Sequence, residues 1–185
     1  MAIKTFTTGE LLTASDTNTY LANSGLVYVK SQTIGGVGVT SVDITNAFSA
    51  TYDNYLVTVT DVDSSAAGPT ARLTFGGVAG SAYYGSMYYD RYTGLDTGTL
   101  RANAAAFLPS GIYGDSDEGT QTITIYNPFA SKRTAFTSNY YGGGYSGWAS
   151  GILYTTASYT YFTLTMSIGT INAGGVVTVY GYRKA

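Results

Sequence analysis

The chain has 185 residues, enough for one sizeable core, and mixes 24 glycines and 19 tyrosines with only 11% charged residues. That mixture excludes a disordered chain, which needs charge, and a helical bundle, which needs Ala, Leu, Glu and Lys. The formal net charge of −2 excludes the clustered basic footprint of a nucleic-acid binder, and the absence of Cys and His removes disulfides, thiolate metal sites and the commonest general base. Abundant Thr, Val, Tyr and Gly predict an all-β domain of short strands and tight turns.

In chain order, residues 1–25 stand apart. Met1 to Phe6 has no apolar signal-peptide core, and no apolar run in the chain approaches the roughly 20 residues that span a bilayer. Phe6 to Leu12 reads as extended. Thr13-Ala14-Ser15-Asp16 matches a capping box, Thr17, Tyr20 and Leu21 share one helical face, and Asn23-Ser24-Gly25 is a stop. The prediction is a helix of two to three turns, too short to stand alone, docked on its own β-domain or on a neighbouring subunit.

Residues 26–185 read as the β-domain. Leu26 to Lys30 opens it, Gly35-Gly36 turns it, and Val39, Val42 and Ile44 are core candidates. Asp53-Asn54 reads as a turn pair, after which Tyr55, Val57 and Val59 fall on one face. Asp61 to Thr70 is a polar loop and Ala71 to Phe75 a strand. From Gly76 to Gly119 the pattern loosens into aromatic pieces between glycines, with a strand expected over Leu100 to Leu108. Gln121 to Tyr126 is a strong strand stopped by Asn127-Pro128, Lys132 to Tyr140 is extended, and Tyr141 to Tyr145 is a glycine-rich tip. Phe162, Leu164, Met166 and Ile168 alternate with Thr and Ser, and Val176 to Arg183 is a β-branched and aromatic run. With the glycine-rich Gly169 to Gly175 between them, the two read as a C-terminal antiparallel hairpin. Roughly eight to ten strands at this spacing predict an antiparallel sandwich or jelly roll.

Three stretches carry a resemblance: Phe6-x-x-Gly9-x-x-Leu12-Thr13-Ala14-x-Asp16-x-Asn18-x-Tyr20-Leu21-x-Asn23; Phe48-Ser49-x-x-Tyr52-Asp53-Asn54-Tyr55; and the ending Gly174-Gly175-x-Val177-x-Val179-Tyr180-Gly181-Tyr182-Arg183, preceded by Ile123-x-Ile125-x-Asn127-Pro128. In these the chain resembles bacteriophage virion structural proteins. The resemblance implies a homo-oligomer, with three copies expected, that is made in the host cytoplasm and built into the particle beside other virion proteins. A tail fibre or receptor-binding tip comes first among the roles, and a capsid decoration protein is the alternative.

Two aromatic clusters are the candidate recognition residues: Tyr83, Tyr84, Tyr88, Tyr89 and Tyr92, and Tyr140, Tyr141, Tyr145 and Trp148. Tyr and Trp offer a stacking face and a hydrogen-bonding tip at low entropy cost, which suits a host-surface glycan; the same residues also suit strand packing and subunit contacts. Phe6, Leu11, Leu12, Tyr20 and Leu21 are the candidate anchor of an arm covering residues 1–25. The pairs Asp61/Asp63 and Asp115/Asp117, with Glu118, could offer oxygens to Ca²⁺, but they read as solvated turns. A polysaccharide depolymerase is the second alternative, although no acid pair has motif support for it, and no Ser-x-x-Lys or phosphate-loop pattern is present. The expectation is a non-enzymatic module without cofactor, metal, nucleic acid or membrane insertion.

Overall fold

The computed structural model describes residues 6–16, 25–36, 38–94, 97–112 and 119–183. Among them are one helical turn, α1 (Ala14–Asp16), and twelve strands. These are β1 (Leu26–Thr33), β2 (Ser41–Ile44), β3 (Tyr52–Val62), β4 (Thr70–Phe75), β5 (Tyr83–Arg91) and β6 (Thr97–Ala105), then β7 (Leu108–Ile112), β8 (Gly119–Tyr126), β9 (Arg133–Gly142), β10 (Tyr145–Thr156), β11 (Phe162–Met166) and β12 (Val176–Arg183). All pairings are antiparallel. One sheet has eight strands in the order β1-β12-β3-β8-β9-β10-β5-β6, and the other has four in the order β2-β11-β4-β7.

Period-2 alternation explains the core. Val179, Val57 and Ile123 form one buried row across β12, β3 and β8, while Ile44, Phe162 and Phe75 form another across the smaller sheet. Phe48, from the β2–β3 connection, wedges between them, with its ring 4.9 Å from Tyr55 and 5.8 Å from Phe162. The buried Tyr55 hydroxyl accepts from the Ser49 N–H (2.8 Å) and donates to the Ser49 carbonyl (3.0 Å), so burying this tyrosine strands no polar group. A second polar tie joins the sheets: Gln121 Nε2 donates to the Ser110 carbonyl and to Ser138 Oγ, and Ser138 Oγ donates to the same carbonyl (2.9 Å).

Four expectations change. The C-terminal runs are not a hairpin: β11 pairs with β2 and β4 in the smaller sheet, and β12 with β1 and β3 in the larger. The chain between them crosses the sandwich edge, with Ile171 buried and hydrogen-bonded to Val39 in both directions. A glycine-rich stretch signals a change of direction without naming the next neighbour. Asp53-Asn54 lies inside β3 rather than in a turn; the Asn127 N–H reaches both the Asp53 carbonyl (2.8 Å) and Asn54 Oδ1 (3.4 Å), so the pair braces the β8–β9 turn. The run from Leu100 to Leu108 splits between β6 and β7, which belong to different sheets. The strand count also exceeds the expected ten, because the aromatic middle is itself sheet.

The capping box is present: the Asp16 N–H donates to Thr13 Oγ1 (3.1 Å) and the Thr13 N–H to Asp16 Oδ2 (3.2 Å). The rest of the expected helix, including Tyr20 and Leu21, lies outside the described residues, as does the acidic turn with Asp115, Asp117 and Glu118.

Candidate binding face

The hairpins β5–β6 and β9–β10 lie side by side at one end of the larger sheet, joined through the β10–β5 ladder. Both β5 and β10 bury large side chains in the ordinary way, Tyr83 and Met87 on β5 and Leu153 on β10, but their inward positions also hold small residues and their outward positions carry aromatics. The inward positions of β10 include Gly147, Ala149 and Gly151, while Trp148, Ile152 and Tyr154 point outward; β5 likewise turns Gly85 inward and Tyr84 and Tyr88 outward. The inward glycines are small for a reason. A Cβ on Gly151 would sit 2.6 Å from Leu108 Cδ2 and 2.9 Å from Phe136 Cε1, so bare backbone here lets β7 pack close.

Register places the outward side chains in rows that cross several strands. One row runs Ser31, Thr178, Thr58, Thr122, Asn139, Trp148, Tyr88 and Thr99. Trp148 and Tyr88 stack at a centroid distance of 6.3 Å with planes 26° apart, and they remain 52% and 37% exposed. Beside them Tyr84 and Tyr154 meet at 4.9 Å, with the Arg133 guanidinium 3.9 Å from the Tyr154 ring. On the other side of Asn139, the residues Thr58, Thr60, Thr120, Thr122, Asn139 and Tyr141 line a shallow groove of about 330 Å³. Hydroxyl and amide groups fill the middle of the face, and Asp90 and Arg133 stand towards its margins. Such a surface can stack on a flat apolar ring face and hydrogen-bond the hydroxyls around it.

Of the residues expected from sequence, Tyr84, Tyr88, Tyr141 and Trp148 come together here, from two separate stretches of chain. Tyr83 and Tyr140 do not belong to any surface, because both are buried. The Tyr83 hydroxyl accepts from the Phe75 N–H and donates to the Val78 carbonyl, closing the β4–β5 turn. The Tyr140 hydroxyl passes over Gly147 to donate to the Tyr88 carbonyl (2.8 Å), bracing the face from beneath. Tyr89 and Tyr145 pack edge to face on the inward side at 5.9 Å, and Tyr92 lies over Gly144 at the hairpin end. Sequence reading missed Tyr154, Ile152, Asn139 and the threonine rows, although the Trp148, Ile152, Tyr154 periodicity was there to be seen.

Burial raises the Tyr83 pKa to about 12, partly offset by the Phe75 N–H, and burial with the neighbouring Tyr89 raises Tyr140 as well. For a phenol, a raised folded-state pKa means stability is intact below the unfolded value of 10.0 and is lost as pH rises through the folded value. Chemical denaturation should therefore give constant stability up to about pH 9 and a fall from near pH 10 upward, made shallower by Tyr83→Phe. A flat profile to pH 11 would contradict this packing.

The anchor candidates Phe6, Leu11 and Leu12 are exposed, Leu11 by 82%. Among the described residues no three acidic side chains gather as a metal site. Asp63 instead accepts from the Ser64 N–H (2.7 Å) and from Asn172 Nδ2 (3.0 Å), pinning the crossing loop. Comparison with protein-family models and with curated proteins gives no match.

Proposed function

We propose that this chain is a non-enzymatic, oligomeric bacteriophage virion component, a tail-fibre or tail-tip module that binds the host surface through the outward face of β9, β10 and β5. The observation that carries this reading is the stacked, exposed Tyr88–Trp148 pair on the outward face of β5 and β10. Tyr88, Trp148 and Tyr154 stay 37%, 52% and 50% exposed on strands that bury Tyr83, Met87 and Leu153 on their other face, and contiguous exposed aromatic surface of that kind usually marks a contact surface.

The strand order supports a jelly-roll scaffold with an added part. Without the hairpins β5–β6 and β9–β10, the remaining strands read β1-β12-β3-β8 facing β2-β11-β4-β7, the double Greek key wiring. The two added hairpins carry Tyr84, Tyr88, Trp148 and Tyr154, while the threonines of the adjoining groove belong to the scaffold strands β3 and β8. A face with few charges and many hydroxyl partners suits a neutral host glycan. Residues 1–25, with exposed Phe6, Leu11 and Leu12, would form the helical arm that attaches the module to the particle or to a neighbouring copy, within an expected trimer. Asp43 and Asp63 already serve as acceptors of structural hydrogen bonds, which fits a binding role.

The test is a Tyr88→Ala, Trp148→Ala double variant assayed on host cells and on arrayed bacterial polysaccharides. Retention should fall at least tenfold while the melting temperature stays within about 2 °C, since both side chains are outward. Undiminished retention would refute the assignment, and a fall from oligomer to monomer would transfer the face to subunit contact.

A further inference from the structure

A second pocket, separate from the stacked Tyr88–Trp148 pair, lies where β4, β6 and the start of β7 meet. It holds about 200 Å³ and is lined by Thr70, Arg72, Leu100, Arg101, Phe107 and Pro109. Two of these six residues are arginines and none is acidic. The Arg72 guanidinium lies over the Phe107 ring with Cζ 4.0 Å from the centroid. A planar cation held on an aromatic face directs its N–H groups sideways, in its own plane, and keeps the fork oriented. Arg72 Nε is shielded from solvent and has no hydrogen-bond partner among the described residues. On the same sheet face Asp43, two strands away, is engaged with Thr163 Oγ1 (2.6 Å). Burial also lowers the Arg72 pKa through desolvation.

We infer that this pocket binds an oxyanion, a carboxylate or sulfate group, through the Arg72 fork with Arg101 at its rim. Arg72 is half-buried, with its shielded Nε–H unmet among the described residues, and carboxylate and sulfate oxygens match the guanidinium fork. The volume lies below the roughly 300 Å³ at which drug-sized ligand sites begin, so one small anionic group fits. The group arrives either on an acidic sugar or as a free ion.

The Arg72 Nε–H resonance, followed by NMR at constant ionic strength, tests this. Methyl glucuronide, sodium acetate and sodium sulfate are the probes, with sodium chloride and methyl glucoside as controls. A saturating shift with the oxyanions, absent with both controls and weakened at least tenfold in Arg72→Lys and in Arg101→Gln, is the expected result. Glucuronide binding at least tenfold tighter than acetate assigns the anion to a sugar, and equal binding assigns it to a free ion. The inference is overturned by a linear shift, by an equal shift with chloride, or by unchanged titration in Arg72→Lys. It is also overturned if binding emerges only after Asp115→Asn, Asp117→Asn and Glu118→Gln, because the arginines would then serve the chain's own acidic segment. The readout does not involve Tyr88 or Trp148, so it stands or falls apart from the recognition face.

Discussion

Replacing Gly147 with alanine is expected to lower stability by about 3 kcal/mol and the melting temperature by roughly 6–12 °C, a large effect for one methyl group. The added Cβ would overlap the Tyr88 carbonyl oxygen and sit 2.5 Å from the Tyr140 hydroxyl. The Tyr88 carbonyl belongs to the β10–β5 ladder and accepts the Tyr140 hydroxyl, so the methyl group cannot be accommodated by turning a flexible side chain aside. Moving β10 would separate β5 from it and displace the Tyr88–Trp148 pair, so ligand retention should fall with stability. Gly35→Ala is the control: among the described residues no atom lies within 4 Å of its would-be Cβ, and urea denaturation should find it within about 0.5 kcal/mol of the parent. Equal stability of the two variants would show that Tyr140 does not brace the face as described.

Phe162→Ala should cost about 3–5 kcal/mol, the range for deleting a fully buried ring. Phe162 is completely buried, stacks on Phe48 at 5.8 Å, and lies in register between Ile44 and Phe75 at the centre of the smaller sheet. Ile168→Ala should change stability by no more than about 0.5 kcal/mol, because Ile168 is 57% exposed and follows the end of β11. Both residues sit in one alternating run, and a hairpin running to Ile168 would make them alike. Denaturation of the two variants therefore decides between that hairpin and the crossing observed here.

Much of the local structure was legible. Tyr55, Val57 and Val59 were readable as one buried face, Gln121 to Tyr126 as a strand ending at Asn127-Pro128, and Thr13 with Asp16 as a capping pair. Each of these depends on residues a few positions apart, within reach of periodicity and side-chain chemistry. The aromatic middle was harder. Tyr83 and Tyr84 are adjacent and chemically identical, yet one is in the core with its hydroxyl bonded to backbone and the other lies on the outer face. Nothing local distinguishes them, because tyrosine is stable in either place once its hydroxyl has a partner. The phase of the strand does distinguish them, and that phase becomes visible only when Gly85 is set against Leu108 of the other sheet.

By itself, the amino-acid order determined that this is an all-β chain with little charge and many short strands, and it placed most of their alternating faces. Which strands pair, that Phe162 and Val177 serve different sheets, and that Tyr88 and Trp148 meet on one surface were decided by tertiary structure. The reason is physical. A period of two specifies that a strand has two unlike faces, but backbone hydrogen bonds accept any neighbour, and the neighbour is selected by how the two sheets close over a shared core.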